Sequence, residues 1–145
     1  MRVRELKTEE TIDLRHRVLR PNQPLSACYY PQDGAAKHFG IFEGDLLVSL
    51  VTAHPEDYKL FSSTGPGHWR IRGMATEPEF QGKGYGSGVL EGLLKWGQAE
   101  KVPLIWCNAR ERAIPFYLKH GFTIESELFE IEGIGPHKVM KRDIG

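Results

Sequence analysis

Met74-Ala75-Thr76-Glu77-Pro78-Glu79-Phe80-Gln81-Gly82-Lys83-Gly84-Tyr85-Gly86-Ser87-Gly88 joins a stretch of strand character to an amphipathic one and sets glycines at 82, 84, 86 and 88. Alternate glycines let successive backbone N–H groups point the same way, because no Cβ blocks positive φ. Such a nest at the start of a helix is a ready anion site, and Lys83 adds a cation beside it. Two familiar phosphate patterns fail here. The dinucleotide pattern G-x-G-x-x-G meets Ser87 when begun at Gly82 and Val89 when begun at Gly84, and the P-loop pattern fails because Gly84 follows Lys83. What remains is Q/R-x-x-G-x-G/A, on Gln81, Gly84 and Gly86. A glycine-rich turn without a ligand is the plainer alternative. It is less attractive for Gly84 and Gly86, because each glycine inside a helix costs about 1 kcal/mol relative to alanine. Gly88, Gly92 and Gly97 are read as allowing close packing.

Upstream of this stretch, residues 68–76 read as a strand. Before them, 38–42 and 46–53 form two strands around the turn Glu43-Gly44-Asp45. At the start, 2–6 reads as a strand, followed by a helix with Thr8 as N-cap and Glu9 and Glu10 in its first turn, ending near Arg20 because Pro21 disfavours helix before it. Residues 21–36, with Pro21, Pro24, Pro31 and Gly34, read as a long, partly helical excursion, a kind of segment that is often functional. Downstream, 84–101 has helical apolar spacing at Val89, Leu90, Leu93, Leu94 and Ala99. Then come a short buried strand over 104–107, a helix over 111–119 stopped by Gly121, and strands over 122–131 and 137–142. The order β-α-loop-β-β-β-α-β-α-β-β predicts an α/β fold of mixed α+β type, with a mixed sheet covered by helices, in a single domain over 1–145.

Composition sets the outer limits. A chain of 145 residues with 40% hydrophobic and 26% charged content can bury one core without staples. Lys and Arg total 19, as do Asp and Glu, a balance that argues against a nucleic-acid or membrane-surface partner. Cys28 and Cys107 are far apart, so a disulfide framework is not expected. No H-x-x-x-H pair occurs and no metal is expected. No apolar run approaches the roughly 20 residues that span a bilayer. The opening residues lack a secretory core, so the expected location is the cytoplasm.

The chain resembles the GNAT superfamily of N-acetyltransferases. Met74–Gly86 is similar to its acetyl-CoA motif, and Ala113-Ile114-Pro115-Phe116-Tyr117-Leu118-Lys119-His120-Gly121-Phe122 to its second hallmark, A-x-x-x-Y-x-x-x-G-F. The ending Gly135-Pro136-His137-x-x-Met140, with 14–18 and Cys28-Tyr29, resembles the ElaA-like branch. The resemblance implies a mostly antiparallel sheet of about seven strands with a splayed V, flanked by about four helices, and acetyl-CoA as co-substrate. It implies that main-chain amides of Gln81, Gly82, Lys83, Gly84, Tyr85, Gly86 and Ser87 hold the pyrophosphate, and that main-chain groups of Met74, Ala75 and Thr76 pair with the pantetheine arm. It places Tyr117 at the cofactor sulfur, makes Asn108 or Arg110 a cofactor or acceptor contact, and makes a homodimer reasonable. The strand position that carries a glutamate base in many members has none here, since 68–76 contains no carboxylate.

Acetyl transfer to an amine requires a neutral amine, a stabilised oxyanion and a departing thiolate. Deprotonating an ammonium of pKa ~10.4 at neutral pH costs about 4 kcal/mol. Tyr117 is expected to protonate the sulfur, the alternative being a half-buried aromatic; Phe116 and Phe122 are read as core. His137, at the start of the last strand, is the candidate base, the alternative being a turn or capping histidine. His68, His120, Glu127 and Glu130 are weaker candidates, and His16, His38 and His54 are read as structural. Cys107 lies in the apolar run 104–107, where burial raises a thiol's pKa, so a nucleophilic role is not expected. Arg70 and Arg72 read as a solvated strand face, with attraction of an acidic acceptor group as the alternative, and 21–36 is placed at the acceptor pocket. The leading reading is transfer to a primary amine, on a small molecule or a protein, by direct attack. A non-catalytic acyl-CoA sensor and a nucleotide-binding regulator would share the cradle.

Overall fold

A computed structural model describes residues 1–144, without the side chains of residues 62–64. The chain divides into two compact units, Met1–Pro55 with Arg72–Trp96, and 56–71 with 97 onward.

In the first unit the strands run in the order β1 (Val3–Leu6), β2 (Lys37–Glu43), β3 (Leu46–Pro55), β4 (Trp69–Thr76). β1 pairs antiparallel with β2 from Val3 opposite Ile41 to Leu6 opposite His38, and β2 pairs antiparallel with β3 around a turn where Gly44 has φ +60°. A bulge between Ile41 and Phe42 shifts that second register. α1 (Thr8–Leu14) starts one residue earlier than the sequence suggested. Lys7 is the N-cap, its N–H donating to Glu10 Oε1 at 2.9 Å, while the Thr8 carbonyl accepts from Thr11 Oγ1. Residues Arg15–Leu19 continue as a π turn that ends at Arg20, before Pro21. Leu6, Leu14, Leu47, Leu50 and Ala75 form a core against which Val18, Leu19 and Phe42 pack.

The π turn carries a fully buried arginine, and this organises residues 21–36. Arg15 donates to Asp33 Oδ2 at 2.8 Å and Oδ1 at 3.0 Å, to the Cys28 carbonyl at 2.9 Å and to Thr52 Oγ1 at 2.9 Å. The Tyr30 ring lies 4.0 Å from its guanidinium. The excursion contains two 3-10 turns, Leu25–Cys28 and Asp33–Ala35.

In the second unit, β4 pairs in parallel with β5 (Leu104–Arg110) at Trp69–Ile105 and Arg70–Trp106. β5 pairs antiparallel with β8 (Gly135–Asp143) along its whole length. The single strand expected over 122–131 is two, β6 (Thr123–Ile124) and β7 (Phe129–Ile131), each antiparallel to β8. The break comes from two bonds to β8: the Ser126 hydroxyl accepts the Val139 N–H at 2.8 Å and the Glu125 N–H donates to the Val139 carbonyl at 2.8 Å, taking groups a ladder would use. α3 (Ile114–Lys119) follows a 3-10 turn over Glu111–Ala113 and stops at Gly121, φ +83°. Phe61, Leu104, Trp106 and Val139 form this unit's core, with Tyr58 and Phe129 against it.

With α2 (Tyr85–Ala99), the elements among the described residues number eight strands in a mixed, mostly antiparallel sheet and three α-helices. No helix among the described residues is long and apolar enough to cross a membrane.

Candidate active site

In the first unit β4 ends at Thr76 and a 3-10 turn, Pro78–Phe80, leads into the glycine run. Gly82 has φ +74° and Gly84 φ +90°, conformations that L side chains rarely adopt. The Gly88 N–H donates to the Gly84 carbonyl at 3.0 Å, which opens the hydrogen-bond ladder of α2. The amides of Tyr85 and Gly86 therefore precede the first helical bond, where no carbonyl four residues back takes them. Space above the turn is open: a Cβ on Gly82 would meet nothing within 4 Å, and one on Gly84 only Met1 Cε at 4.0 Å. A backbone nest at a helix N-terminus, bare of side chains and with Lys83 alongside, fits a diphosphate. Gln81 differs from its neighbours. Its N–H is spent on the Pro78 carbonyl at 3.3 Å, and its Nε2 donates to the Thr76 carbonyl at 3.1 Å, bracing the turn. Lys83 Nζ stands 5.7 Å from the Phe80 ring, and the Tyr85 hydroxyl donates to the Glu43 carboxylate, which holds the phenol proton more tightly.

Gly88 and Gly92 serve packing, as read. A Cβ on Gly88 would sit 2.9 Å from Ile41 Cδ1, and one on Gly92 2.6 Å from Val3 Cγ1. On β4, Gly73 leaves room for the excursion: the Tyr30 hydroxyl lies 3.8 Å from where its Cβ would be.

In the second unit α3 presents Tyr117 to β5. Tyr117 is buried, meets Phe116 and Phe122 nearly edge-on at 5.3 and 5.2 Å, and hydrogen-bonds to Cys107. Burial, and then Cys107, push the Tyr117 phenol well above its usual range. Burial pushes the Cys107 thiol up to about 12 against the opposing pull of Tyr117 and the Arg70 charge, so it keeps its proton at neutral pH. His137 is buried, and its Nδ1 donates to the Gly135 carbonyl at 2.7 Å. A carbonyl can only accept, so the neutral ring carries its lone pair on Nε2. In the β5–β8 ladder His137 stands opposite Arg110, and Val139 opposite Asn108.

The family model for the Acetyltransferase (GNAT) family matches residues 3–122. The chain belongs to the GNAT family. It is 32% identical over 146 residues to the uncharacterized N-acetyltransferase YitI of Bacillus subtilis (strain 168), covering 99% of this chain and 97% of that one. In fold it is similar to Escherichia coli ElaA, with TM-score 0.76 and 19% identity over 98% of this chain and 99% of that one. It is equally similar to an aminoglycoside 6'-N-acetyltransferase complexed with coenzyme A, with TM-score 0.76 and 15% identity over 100% and 98%. Acetyl transfer is thus the general chemistry of this GNAT chain.

The structure brings Met74, Ala75 and Thr76 together with 81–87 in one unit, and Asn108, Arg110, Tyr117 and His137 together in the other. Arg70 corrects the reading of a solvated face. It is paired with Glu56 at 3.2 Å and lies 5.1 Å from the Trp106 ring, because Trp106 Nε1 holds the Glu56 carbonyl at 2.7 Å and the Glu56 N–H holds His68. Arg72 is exposed. Glu56 thereby brings to β4 the carboxylate that β4 itself lacks. Sequence reasoning missed it, since it lies 14 positions from Arg70 and off the strand. His68 Nδ1 accepts the Tyr58 N–H at 3.1 Å, His38 bonds Thr8 and Thr52, and His16 bonds the Gln23 carbonyl, so all three act in packing the chain.

Proposed function

We propose that this GNAT chain moves an acetyl group from acetyl-CoA to a primary amine, on a small molecule or a protein, by direct attack. The observation that carries the reading is the pair of left-handed glycines, 82 and 84, set directly before the first hydrogen bond of α2. The amides of residues 82–87 bind the diphosphate. The main chain of Met74–Thr76, past the two residues of β4 that pair with β5, receives the pantetheine amides as an added strand would. Bound acetyl-CoA supplies the thioester.

His137 receives the amine's proton on Nε2, the nitrogen its bond to Gly135 leaves unprotonated. Tyr117 serves the departing sulfur as a hydrogen-bond donor. A thiol of pKa ~8.5 is a stronger acid than even a free phenol of pKa ~10, and burial holds the Tyr117 proton more tightly still, so complete transfer from the phenol is uphill. An acyl-cysteine route through Cys107 is disfavoured by its retained proton.

Calorimetric titration with CoA followed by thiol release over an amine panel tests this. Binding with turnover on at least one amine is expected. Binding without turnover across a broad panel would turn the reading toward an acyl-CoA sensor, and competition by ATP or NAD toward a nucleotide regulator.

A further inference from the structure

The excursion over 21–36 lays one side chain against β4. A Cβ on Gly73 would have the Tyr30 hydroxyl at 3.8 Å and its Cε2 at 3.9 Å. Tyr30 itself is held firmly. Its N–H donates to Asp33 Oδ2 at 2.8 Å, and its carbonyl accepts the Asp33 N–H at 3.0 Å. Two guanidiniums stand against its ring, Arg15 at 4.0 Å and Arg20 at 5.5 Å from the centroid. The phenol is half-buried, and among the described residues its hydroxyl has no hydrogen-bond partner. A packed aromatic body with a polar tip left over is what tyrosine presents at a binding surface.

The two arginines differ. Both oxygens of Asp33 neutralise Arg15. Arg20 ends the π turn, its N–H donating to the Arg15 carbonyl at 3.1 Å, and its guanidinium bonds to a neutral group, Gln23 Oε1, at 3.4 Å. Among the described residues no carboxylate pairs with Arg20, whereas its neighbour Arg17 is paired with Asp13 and Glu77. A half-buried cation and a hydroxyl without a partner thus stand together beside Gly73. With the diphosphate at 82–87 and the pantetheine arm along Met74–Thr76, the cofactor runs back toward the start of β4, which puts its thioester end at Gly73.

We propose that Arg20 and Tyr30 select the acceptor, and that the acceptor is a small amine carrying a carboxylate a few bonds from its nitrogen. Arg20 takes the carboxylate through its forked N–H groups, and the Tyr30 oxygen accepts an N–H of the amine beside Gly73. Tyr30 neither gives nor takes a proton in the transfer; it fixes where the nitrogen stands. A polycationic amine meets Arg20 as a like charge and is rejected. The inference rests on the acetyl-transfer reading above.

Initial rates on the full-length protein test it, with amino acids, their amides (the same skeleton without the negative charge) and polyamines as acceptors. The carboxylate-bearing amine should exceed its amide about 10- to 100-fold in kcat/KM, the worth of one charge-assisted hydrogen bond. Arg20→Gln should remove that preference, and Arg20→Lys, which keeps the charge but not the fork, should retain part of it. Tyr30→Phe should lower kcat/KM about 3- to 10-fold, through the KM for the acceptor and not the KM for acetyl-CoA. Equal or faster turnover of amides or polyamines by the wild type would overturn the proposal. So would a preference that survives Arg20→Gln, or variants that raise both KM values alike, which marks a merely structural role. Intact CoA binding with no turnover of any amine would remove the acetyl-transfer reading and this inference with it.

Discussion

Replacing Gly84 tests the cradle directly. At φ +90° an L residue costs about 1–2 kcal/mol. For a chain of this size each kcal/mol lowers Tm by about 2–4 °C, so Gly84→Ala should melt about 2–8 °C lower. There is no steric objection, since a Cβ would first meet Met1 Cε at 4.0 Å. If the turn relaxes and one amide leaves the diphosphate, a charge-assisted hydrogen bond of about 1.5–3 kcal/mol is lost, or roughly 10- to 100-fold in the Kd for CoA. Gly84→Asp adds a like charge. At about 5 Å and an effective dielectric between water and a protein surface this contributes about 1–3 kcal/mol more. Gly133, φ +78° with nothing within 4 Å of its Cβ position, provides the control: Gly133→Ala carries the same strain in the β7–β8 turn and should leave the Kd alone. Isothermal titration with CoA on all three variants, with melting curves, reads both effects. Wild-type affinity in Gly84→Asp, or equal loss in Gly133→Ala, would refute the cradle.

Gly92→Ala gains about 1 kcal/mol of helix propensity but pushes a Cβ to 2.6 Å from Val3 Cγ1, and overpacking costs about 1–3 kcal/mol, so a net loss of about 1 kcal/mol should appear in urea unfolding. Asp33→Asn leaves the buried Arg15 without its counter-ion and should cost about 3–5 kcal/mol in the same assay. Burial raises the Asp33 pKa, but bonds from Arg15 and the Tyr30 N–H outweigh it and hold it below 3.8; its stability is present above that value and lost as pH falls through the folded pKa. Burial, and then the Arg15 charge, lower the His38 pKa below 6.5, so the unfolded chain binds that proton first and stability falls as pH drops below 6.5. His38→Gln should flatten the stability curve between about pH 6.5 and 5, a slope of at most about 1.4 kcal/mol per pH unit. His137→Ala should lower kcat about 10²- to 10³-fold with the CoA Kd unchanged, and turnover at the wild-type rate would take the base role from it.

What could be read from the sequence was what neighbouring residues decide. β2, β3 and β4 fall within two residues of their expected bounds, because alternation and the Glu43-Gly44-Asp45 turn are local. Gly121 stops α3 for the same kind of reason. The expected strand 122–131 failed on a non-local bond, Ser126 to the Val139 N–H, 13 positions away, and that divides the expected count of about seven strands into eight. The three helices read over 8–20, 84–101 and 111–119 each contain an α-helix, the first continuing as a π turn over Arg15–Leu19, and residues 21–36 hold 3-10 turns around Arg15.

The same distinction runs through the site. A nest of main-chain amides is a matter of consecutive residues, since only the absence of Cβ atoms permits it, and so the left-handed turn at Gly82 and Gly84 was legible in the sequence. Side-chain partnerships depend on the sheet register. Nothing near Arg70 announces Glu56, and nothing near Tyr117 announces Cys107 beyond an apolar run that suggests burial. The apolar run predicted the burial of the thiol, yet it says nothing of what the thiol touches. This separates two kinds of tolerance. The cradle should reject small changes at Gly82 and Gly84, which alter the backbone, more strongly than the loss of the Lys83 side chain, which removes only a neighbouring charge. Buried side-chain pairs should behave in the opposite way, failing when one partner loses its charge although the backbone is unchanged, as with Asp33→Asn against Arg15.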